Sequence, residues 1–347
     1  MRSEYLEWVK TRTPSPFNLA TSGIVPCSLP EIGARIEDLE INGPSLYGYP
    51  PLQQAIAAHC GVQPDCIVAT SGTSMANFIV MAALIRPGDE VLIERPAYEP
   101  LLALAQYFGA DLKRFPRDGD LRSCISRRTK LIVITNLHNP SCGLMDEPQL
   151  KNVAELAKSA GARVLVDEVY LECRYERARP AFHMADNIVC TSSLTKAYGL
   201  GGLRCGWILA GPDLSRRMWQ IKDLIDPSAV HPAELLSVIA FRRLDALAGR
   251  ARVILETNRS SLREFVESCP QVELSMPDYG TCVFPRMRIR DPDQFCDLLR
   301  DAYETDVVPG RFFEMPDHIR IGIGADSRVL KEGLQRLQAA LERREIE

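Results

Sequence analysis

Lys196 lies in the stretch Ser192-Ser193-Leu194-Thr195-Lys196-Ala197-Tyr198-Gly199-Leu200-Gly201-Gly202-Leu203-Arg204-Cys205-Gly206-Trp207, where glycines follow it and an arginine stands eight residues on. Glycine lets a backbone approach another group closely. Ser193 offers a hydroxyl, and Arg204 a cationic fork suited to phosphate. A lysine amine among cations loses its proton more easily and then attacks carbonyls. Together these residue types point to a Schiff base between Lys196 and a phosphorylated aldehyde. Taken alone, the loop reads equally well as solvated surface, where most lysines lie. A dinucleotide fingerprint fits poorly, because Gly199-x-Gly201 is followed three residues later by Arg204 and not by glycine.

Three other stretches carry candidate chemistry. Asp167 and Glu168 end the apolar run Val164-Leu165-Val166; two carboxylates there are costly unless paired, and strand C-terminal ends are where open α/β sheets bind ligands. Thr70-Ser71-Gly72-Thr73-Ser74 separates the strand-like Ile67-Val68-Ala69 from an apolar helix, Met75 to Leu84. A helix N-terminus with small hydroxyl residues is an anion site, although capping alone also explains Ser and Thr there. The strand-like Lys130 to Thr135 leads into Asn136-Leu137-His138-Asn139-Pro140-Ser141-Cys142-Gly143. His138 is a tempting acid or base, but a histidine in such a turn is more often structural.

The Lys196 stretch resembles the cofactor-lysine signature of fold-type I pyridoxal-phosphate enzymes in the class I/II aminotransferase family, Ser-x-x-Lys followed by Gly-x-x-Gly-x-Arg-x-Gly. Ser193, Lys196, Gly199, Gly202, Arg204 and Gly206 match it, and further motifs extend the resemblance over roughly residues 40 to 340 in family order. The implied cofactor is pyridoxal 5′-phosphate, bound covalently by Lys196. Asp-Glu-x-Tyr is matched by Asp167, Glu168 and Tyr170. It implies a carboxylate at the ring nitrogen from Asp167 and a hydroxyl at the phenolic oxygen from Tyr170, with Glu168 in a packing or polar-network part. Lys196, Asp167 and Tyr170 are the expected catalytic residues.

Gly72, Thr73, Ser74, Ser193 and Arg204 are expected around the phosphate. Tyr98 is expected to stack on the pyridine, a contact that contributes about 0.5–1.5 kcal/mol beyond burial. The family writes Asn-Pro-x-Asn-Pro-Thr-Gly where this chain has Leu137 for the first proline and Ser141-Cys142 for the threonine. Asn139 keeps its place, next to the phenolic oxygen and the substrate. Arg320, on the strand-like His318 to Gly324, matches the arginine that clamps the substrate α-carboxylate bidentately; the plain alternative is an arginine facing water. Gly23 in the N-terminal arm matches a glycine that touches substrate, and is otherwise a turn residue. Tyr47 fits a tyrosine that reaches across a homodimer to the other subunit's cofactor phosphate. Tyr49 competes for that place, and a packing tyrosine is the plain reading of either.

These residues need a body to position them, and 347 residues suffice for two domains. Alternation of apolar runs with helical patterns, read with the resemblance, implies an α/β fold: a three-layer large domain with a mostly parallel mixed sheet over residues 45–250. A smaller α+β domain takes 251–347 together with the arm, 1–44. A long helix is expected from Arg252 to Ser268 and a closing one from Leu330 to Glu342. Composition is ordinary, with 46% hydrophobic and 25% charged residues and a net charge of −4, so no basic footprint for nucleic acid exists. The acidic N-terminus lacks a signal-peptide core and no run suits a membrane span, which places the expected enzyme in the cytoplasm. The eleven cysteines are scattered, with no C-x-x-C, and read as reduced, apolar side chains. The dispersed histidines give a metal no support.

The implied activity moves the amino group of an L-amino acid to a 2-oxo acid through the Lys196 Schiff base. A lyase, decarboxylase or cyclase acting on an amino acid is the alternative, because one fold carries several chemistries. A catalytically silent cofactor-binding module is disfavoured by the joint presence of Lys196, Asp167 and Arg320.

Overall fold

The computed structural model describes residues 2–44, 46–176 and 178–343. Seven strands form its central sheet: β1 (Ile67–Ser71), β2 (Glu90–Arg95), β3 (Asp111–Pro116), β4 (Thr129–Thr135), β5 (Arg163–Asp167), β6 (Ile188–Ser193) and β7 (Cys205–Leu209). Their order is β1-β7-β6-β5-β4-β2-β3. Only β7 runs against the others, antiparallel to both β1 and β6, while β6, β5, β4, β2 and β3 pair in parallel. Fold class is thus as expected, α/β with a mostly parallel mixed sheet.

The strands read as unbroken apolar runs because both faces are covered. Alternate residues go to opposite sides: Ile132, Ile134, Val164 and Val166 enter one core, whereas Leu131, Val133, Leu165 and Val189 enter another. That is the three-layer arrangement. Since β1 and β6 both run against β7, the C-terminal ends of β1, β4, β5 and β6 lie along one edge of the sheet. Ser71, Thr135, Asp167 and Ser193 terminate them there, so that edge is where side chains from distant sequence converge.

The C-terminal part packs around the helix Leu244–Ser268, which begins eight residues earlier than its expected start at Arg252. Leu244, Leu247, Ala251 and Leu255 are all buried at helical spacing and carry it through Gly249. The division expected after residue 250 therefore falls inside one continuous helix. Against it lie the closing helix Ser327–Glu342 and a small antiparallel sheet of Cys282–Val283, Ile319–Gly322 and Val308–Pro309. The N-terminal arm is joined to this part: Phe17–Asn18 pairs in parallel with Thr305–Asp306, and Leu19 is fully buried. Ahead of the arm stands α1 (Glu4–Thr11), capped by Ser3, whose hydroxyl accepts from Leu6 N–H.

Candidate active site

Lys196 follows β6 by three residues, and its amine points inward, donating to Ser22 Oγ at 3.1 Å. A cavity of about 140 Å³ collects Lys196, Asp167, Asn77, Tyr170, Asn139, Tyr98, Thr73, Ser74, Ser193 and Arg204, together with Tyr5, Ser22 and Thr135. Burial lowers the Lys196 pKa to about 8, helped by the positive charges of Arg320 and Arg204. Lys196 is half-buried, with its stem against Gly23 and its amine on Ser22, and is not a freely solvated surface lysine. A partly neutral amine at neutral pH is what attack on a carbonyl requires.

Asp167 ends β5 at 4% exposure. One carboxylate oxygen accepts from Asn77 Nδ2 at 2.7 Å and the other from Val169 N–H at 3.1 Å. Thr191 in turn donates to Asn77 Oδ1 at 2.7 Å, which fixes the amide's orientation. Burial raises the Asp167 pKa to about 6, against those hydrogen bonds and the Lys196 charge, leaving it mostly ionised at neutral pH. Its neighbour Glu168 points the other way, accepts from Ala181 N–H at 2.8 Å, and is raised to about 8 by burial. Asp167, the last residue of β5, and Glu168 just after it thus turn to opposite sides, and Glu168 accepts from backbone away from the cavity. The hydroxyl of Tyr170 meets Ser22 Oγ at 2.6 Å, so Ser22 bridges Tyr170 and Lys196.

At the end of β1, Gly72 has φ +84° and the helix Thr73–Leu84 begins directly after it. A Cβ on Gly72 would lie 2.5 Å from Arg204 Nη2, and one on Gly206 would lie 2.6 Å from the Gly72 backbone. Both glycines are required for this close approach. Arg204 adopts φ +52° and donates to the Ser71 carbonyl at 3.2 Å and the Gly201 carbonyl at 3.3 Å. Thr73 Oγ1 is buried with no hydrogen-bond partner, a costly state that an acceptor oxygen in the cavity would relieve. With the free N–H groups of the helix start, the hydroxyls of Ser74 and Ser193 and the Arg204 guanidinium, this corner fits a phosphate.

On the opposite wall the Arg320 guanidinium is 1% exposed. It donates to Asn139 Oδ1 at 3.1 Å, to the Tyr5 hydroxyl at 2.8 Å and to the Ala20 carbonyl at 3.1 Å, so the water-facing alternative is ruled out. Tyr98 lies edge-on to Tyr5, with ring centroids 5.6 Å apart. Gly23 packs on the lysine itself: its Cβ position is 3.4 Å from Lys196 Cδ, and Ile24 N–H donates to the Lys196 carbonyl at 2.9 Å. His138 is structural. Its Nε2 meets the Pro96 carbonyl at 3.0 Å and must donate there, leaving Nδ1 to accept from Ser141 at 2.6 Å.

Tyr47 and Tyr49 stand apart from this cavity. Tyr47 is 55% exposed against Trp219, and Tyr49 packs edge-on to His231. Motif reading missed Tyr5, Ser22, Asn77 and Thr191. Asn77 carried a signal, a polar residue in the otherwise apolar helix run Met75 to Leu84; the others had none, since their role depends on where the arm and β6 are laid. Among the described residues no cluster suits a metal ion and no helix is long and apolar enough to cross a membrane.

The fold and this arrangement define a protein class before any comparison. The sequence profile "Aminotransferase class I and II" matches residues 37–337, and the chain belongs to that family. It is 32% identical over 315 residues to capreomycidine synthase of Streptomyces vinaceus, covering 86% of this chain and 80% of that one. A PLP-dependent aminotransferase from Streptococcus suis 89-1591 superposes with a TM-score of 0.92 at 27% identity, over 100% of this chain and 99% of its own. The PLP-dependent cyclase OrfR shares the fold, with a TM-score of 0.89 at 24% identity over 98% and 97% of the two chains. Family membership brings with it the cofactor expected from the sequence, pyridoxal 5′-phosphate.

Proposed function

We infer that the chain is an aminotransferase that takes the amino group from an L-amino acid and gives it to a 2-oxo acid, with Lys196 as the covalent anchor of the cofactor. The observation that carries this reading is Lys196 itself. The amine of a half-buried lysine, lowered to about 8, shares one cavity with Asp167, between a phosphate corner and a buried arginine.

Bound pyridoxal phosphate supplies an electron sink for charge developing at the substrate Cα. The residues of this chain do the rest. Gly72, Thr73, Ser74, Ser193 and Arg204 hold the phosphate, and Tyr98 covers a ring face. Asp167, oriented by Asn77, keeps a positive charge favourable at the ring nitrogen, while Tyr170 and Asn139 address the phenolic oxygen. Arg320, with Asn139 and Gly23, receives the substrate. The Lys196 amine would take the substrate Cα proton as general base and give it back as general acid. In this reading a large domain, 45–250, and a small one formed by 251–347 with the arm, 1–44, are bridged by the helix Leu244–Ser268, and the substrate would sit between them.

A homodimer is part of this reading. Exposed Ile41, Leu46 and Val230 line one hollow with Trp219, against which exposed Tyr47 packs, and such clustered exposed apolar side chains suit an interface. Tyr47 is the candidate for the side chain that reaches the other subunit's phosphate, with Tyr49 competing for that part. The cysteines, all free and mostly buried, suit the cytoplasm assigned to an enzyme of amino-acid biosynthesis.

A second reading is favoured by one finding, the 32% identity to a protein named as a synthase. Proton removal at Cα by Lys196 also begins lyase and cyclase reactions, and a decarboxylase would use the same site with another Cα bond broken. Holoenzyme mixed with a panel of L-amino acids decides the matter. Release of a 2-oxo acid with the cofactor left in its amine form supports aminotransfer. A cyclised, deaminated or decarboxylated product without that form overturns it in favour of the second reading.

A further inference from the structure

Every partner of the buried Arg320 guanidinium is neutral: the Asn139 amide oxygen, the Ala20 carbonyl and the Tyr5 hydroxyl. Its Nε is buried with no hydrogen-bond partner among the described residues. A buried cation surrounded only by neutral acceptors is costly and favours an arriving anion. Tyr5 is the residue in the way. It lines both the 140 Å³ cavity around Lys196 and a larger one of about 480 Å³ that adjoins it, whereas Arg320 lines neither. The cavity therefore presents the phenol, with the guanidinium behind it.

The direction of their hydrogen bond matters. A guanidinium has only donors, so at 2.8 Å the Tyr5 oxygen accepts. Its own O–H is left over, with no acceptor among the described residues. The ring is held firmly meanwhile, edge-on to Tyr98 at 5.6 Å and against Phe312 and Phe313 at 5.7 and 6.1 Å.

We propose that Tyr5 is a substrate-binding residue that recognises the α-carboxylate together with Arg320. On arrival of the carboxylate the phenol stops accepting from Nη2 and turns its O–H to one carboxylate oxygen, while the guanidinium donates to the carboxylate in its place. No proton changes its heavy atom in this exchange. The proposal rests on the reading of Arg320 as the carboxylate clamp, and extends the substrate site to α1, far from every recognised motif.

The test compares holoenzyme and its Tyr5→Phe, Arg320→Lys and Phe312→Leu variants with three probe pairs: L-alanine and ethylamine, L-norleucine and pentylamine, L-arginine and agmatine. Each amine lacks the carboxylate of its amino acid. Apparent Kd is read from the change in cofactor absorbance. Loss of one hydrogen bond to a charged group predicts that Tyr5→Phe weakens the amino acids about 10- to 100-fold and leaves the amines unchanged. Phe312→Leu, which loosens the seat of α1 but keeps the hydroxyl, is expected to affect both members of a pair alike. Should Tyr5→Phe also affect both alike, or neither, while Arg320→Lys discriminates, Tyr5 has only a structural part and the clamp reading survives. If neither Tyr5→Phe nor Arg320→Lys discriminates, the clamp reading fails as well.

Discussion

The two walls of the cavity are built in different ways. One comes from the C-terminal ends of neighbouring strands: Gly72 to Ser74 after β1, Asp167 on β5, Ser193 on β6. Backbone ladders set their spacing, because Asp167 pairs with Thr191 and Ser193 with Gly206 in fixed register. The other wall is assembled from α1, the arm and a C-terminal strand. Tyr5 meets Arg320 across 315 positions of sequence, through side chains alone. A wall fixed by one continuous sheet suits a cofactor that stays; in the other, backbone hydrogen bonds lay the arm against the C-terminal part but α1 reaches Arg320 only through the Tyr5 side chain, which suits a substrate that comes and goes.

That contrast predicts which property each substitution damages. Lys196→Ala on the strand wall carries the largest effect, a loss of roughly 10²–10⁴ in turnover from proton transfer alone. The visible band of lysine-bound cofactor disappears with it; a band that persists means another residue holds the aldehyde. Asp167→Asn keeps a group that can accept from Asn77 but removes the charge at the ring, and is expected to lower kcat by about 10²–10³ with little change in KM. A rise in KM of that size instead would move Asp167 to the substrate wall. Arg204→Ala is expected to weaken cofactor retention about 10- to 100-fold, measured by dialysis, while kcat at saturating cofactor stays within a few-fold.

The strand wall also has a pH signature. In the proposed role the Lys196 amine must be neutral to capture the aldehyde, and its pKa is lowered to about 8. Below that value the neutral fraction rises almost tenfold per pH unit, and above it the fraction saturates. Capture of pyridoxal phosphate by the apoenzyme, followed by stopped-flow absorbance, is expected to climb between pH 6 and 8 and then level. A profile still rising through pH 10 would show an ordinary exposed lysine.

The same division explains what sequence could reveal. Residues on the strand wall stand in short motifs, since a strand end and the turn after it place a lysine, a carboxylate or a phosphate-binding glycine within a few positions. Asp167, Lys196, Thr73 and Arg204 were readable for that reason, as was the sheet through its apolar runs. Ser22 and Tyr5 were not. Nothing in Ser3 to Trp8 distinguishes a capped amphipathic helix from any other, and only the folded arm brings Tyr5 to Arg320. Boundaries failed where burial overrides local preference, as at Gly249 inside a helix held by Leu244, Leu247 and Ala251.

Gly23 joins the two walls, and the smallest effect is expected there. Its backbone is pressed between strand and lysine: a Cβ on Gly324 would lie 2.3 Å from the Gly23 carbonyl, and one on Gly23 itself 3.4 Å from Lys196 Cδ and 3.5 Å from Lys196 Cα. The second pair of distances is ordinary van der Waals contact, so Gly23→Ala fits with little movement. The added methyl group occupies space beside the lysine stem, on the side proposed for the substrate and away from the phosphate corner. Its expected result is a KM for the amino acid raised about two- to three-fold, with kcat and cofactor band unchanged, because one partly accommodated methyl changes binding by less than about 1 kcal/mol. If Gly23→Ala instead releases cofactor, the arm belongs to the cofactor's wall, and the separation of the two walls is drawn in the wrong place.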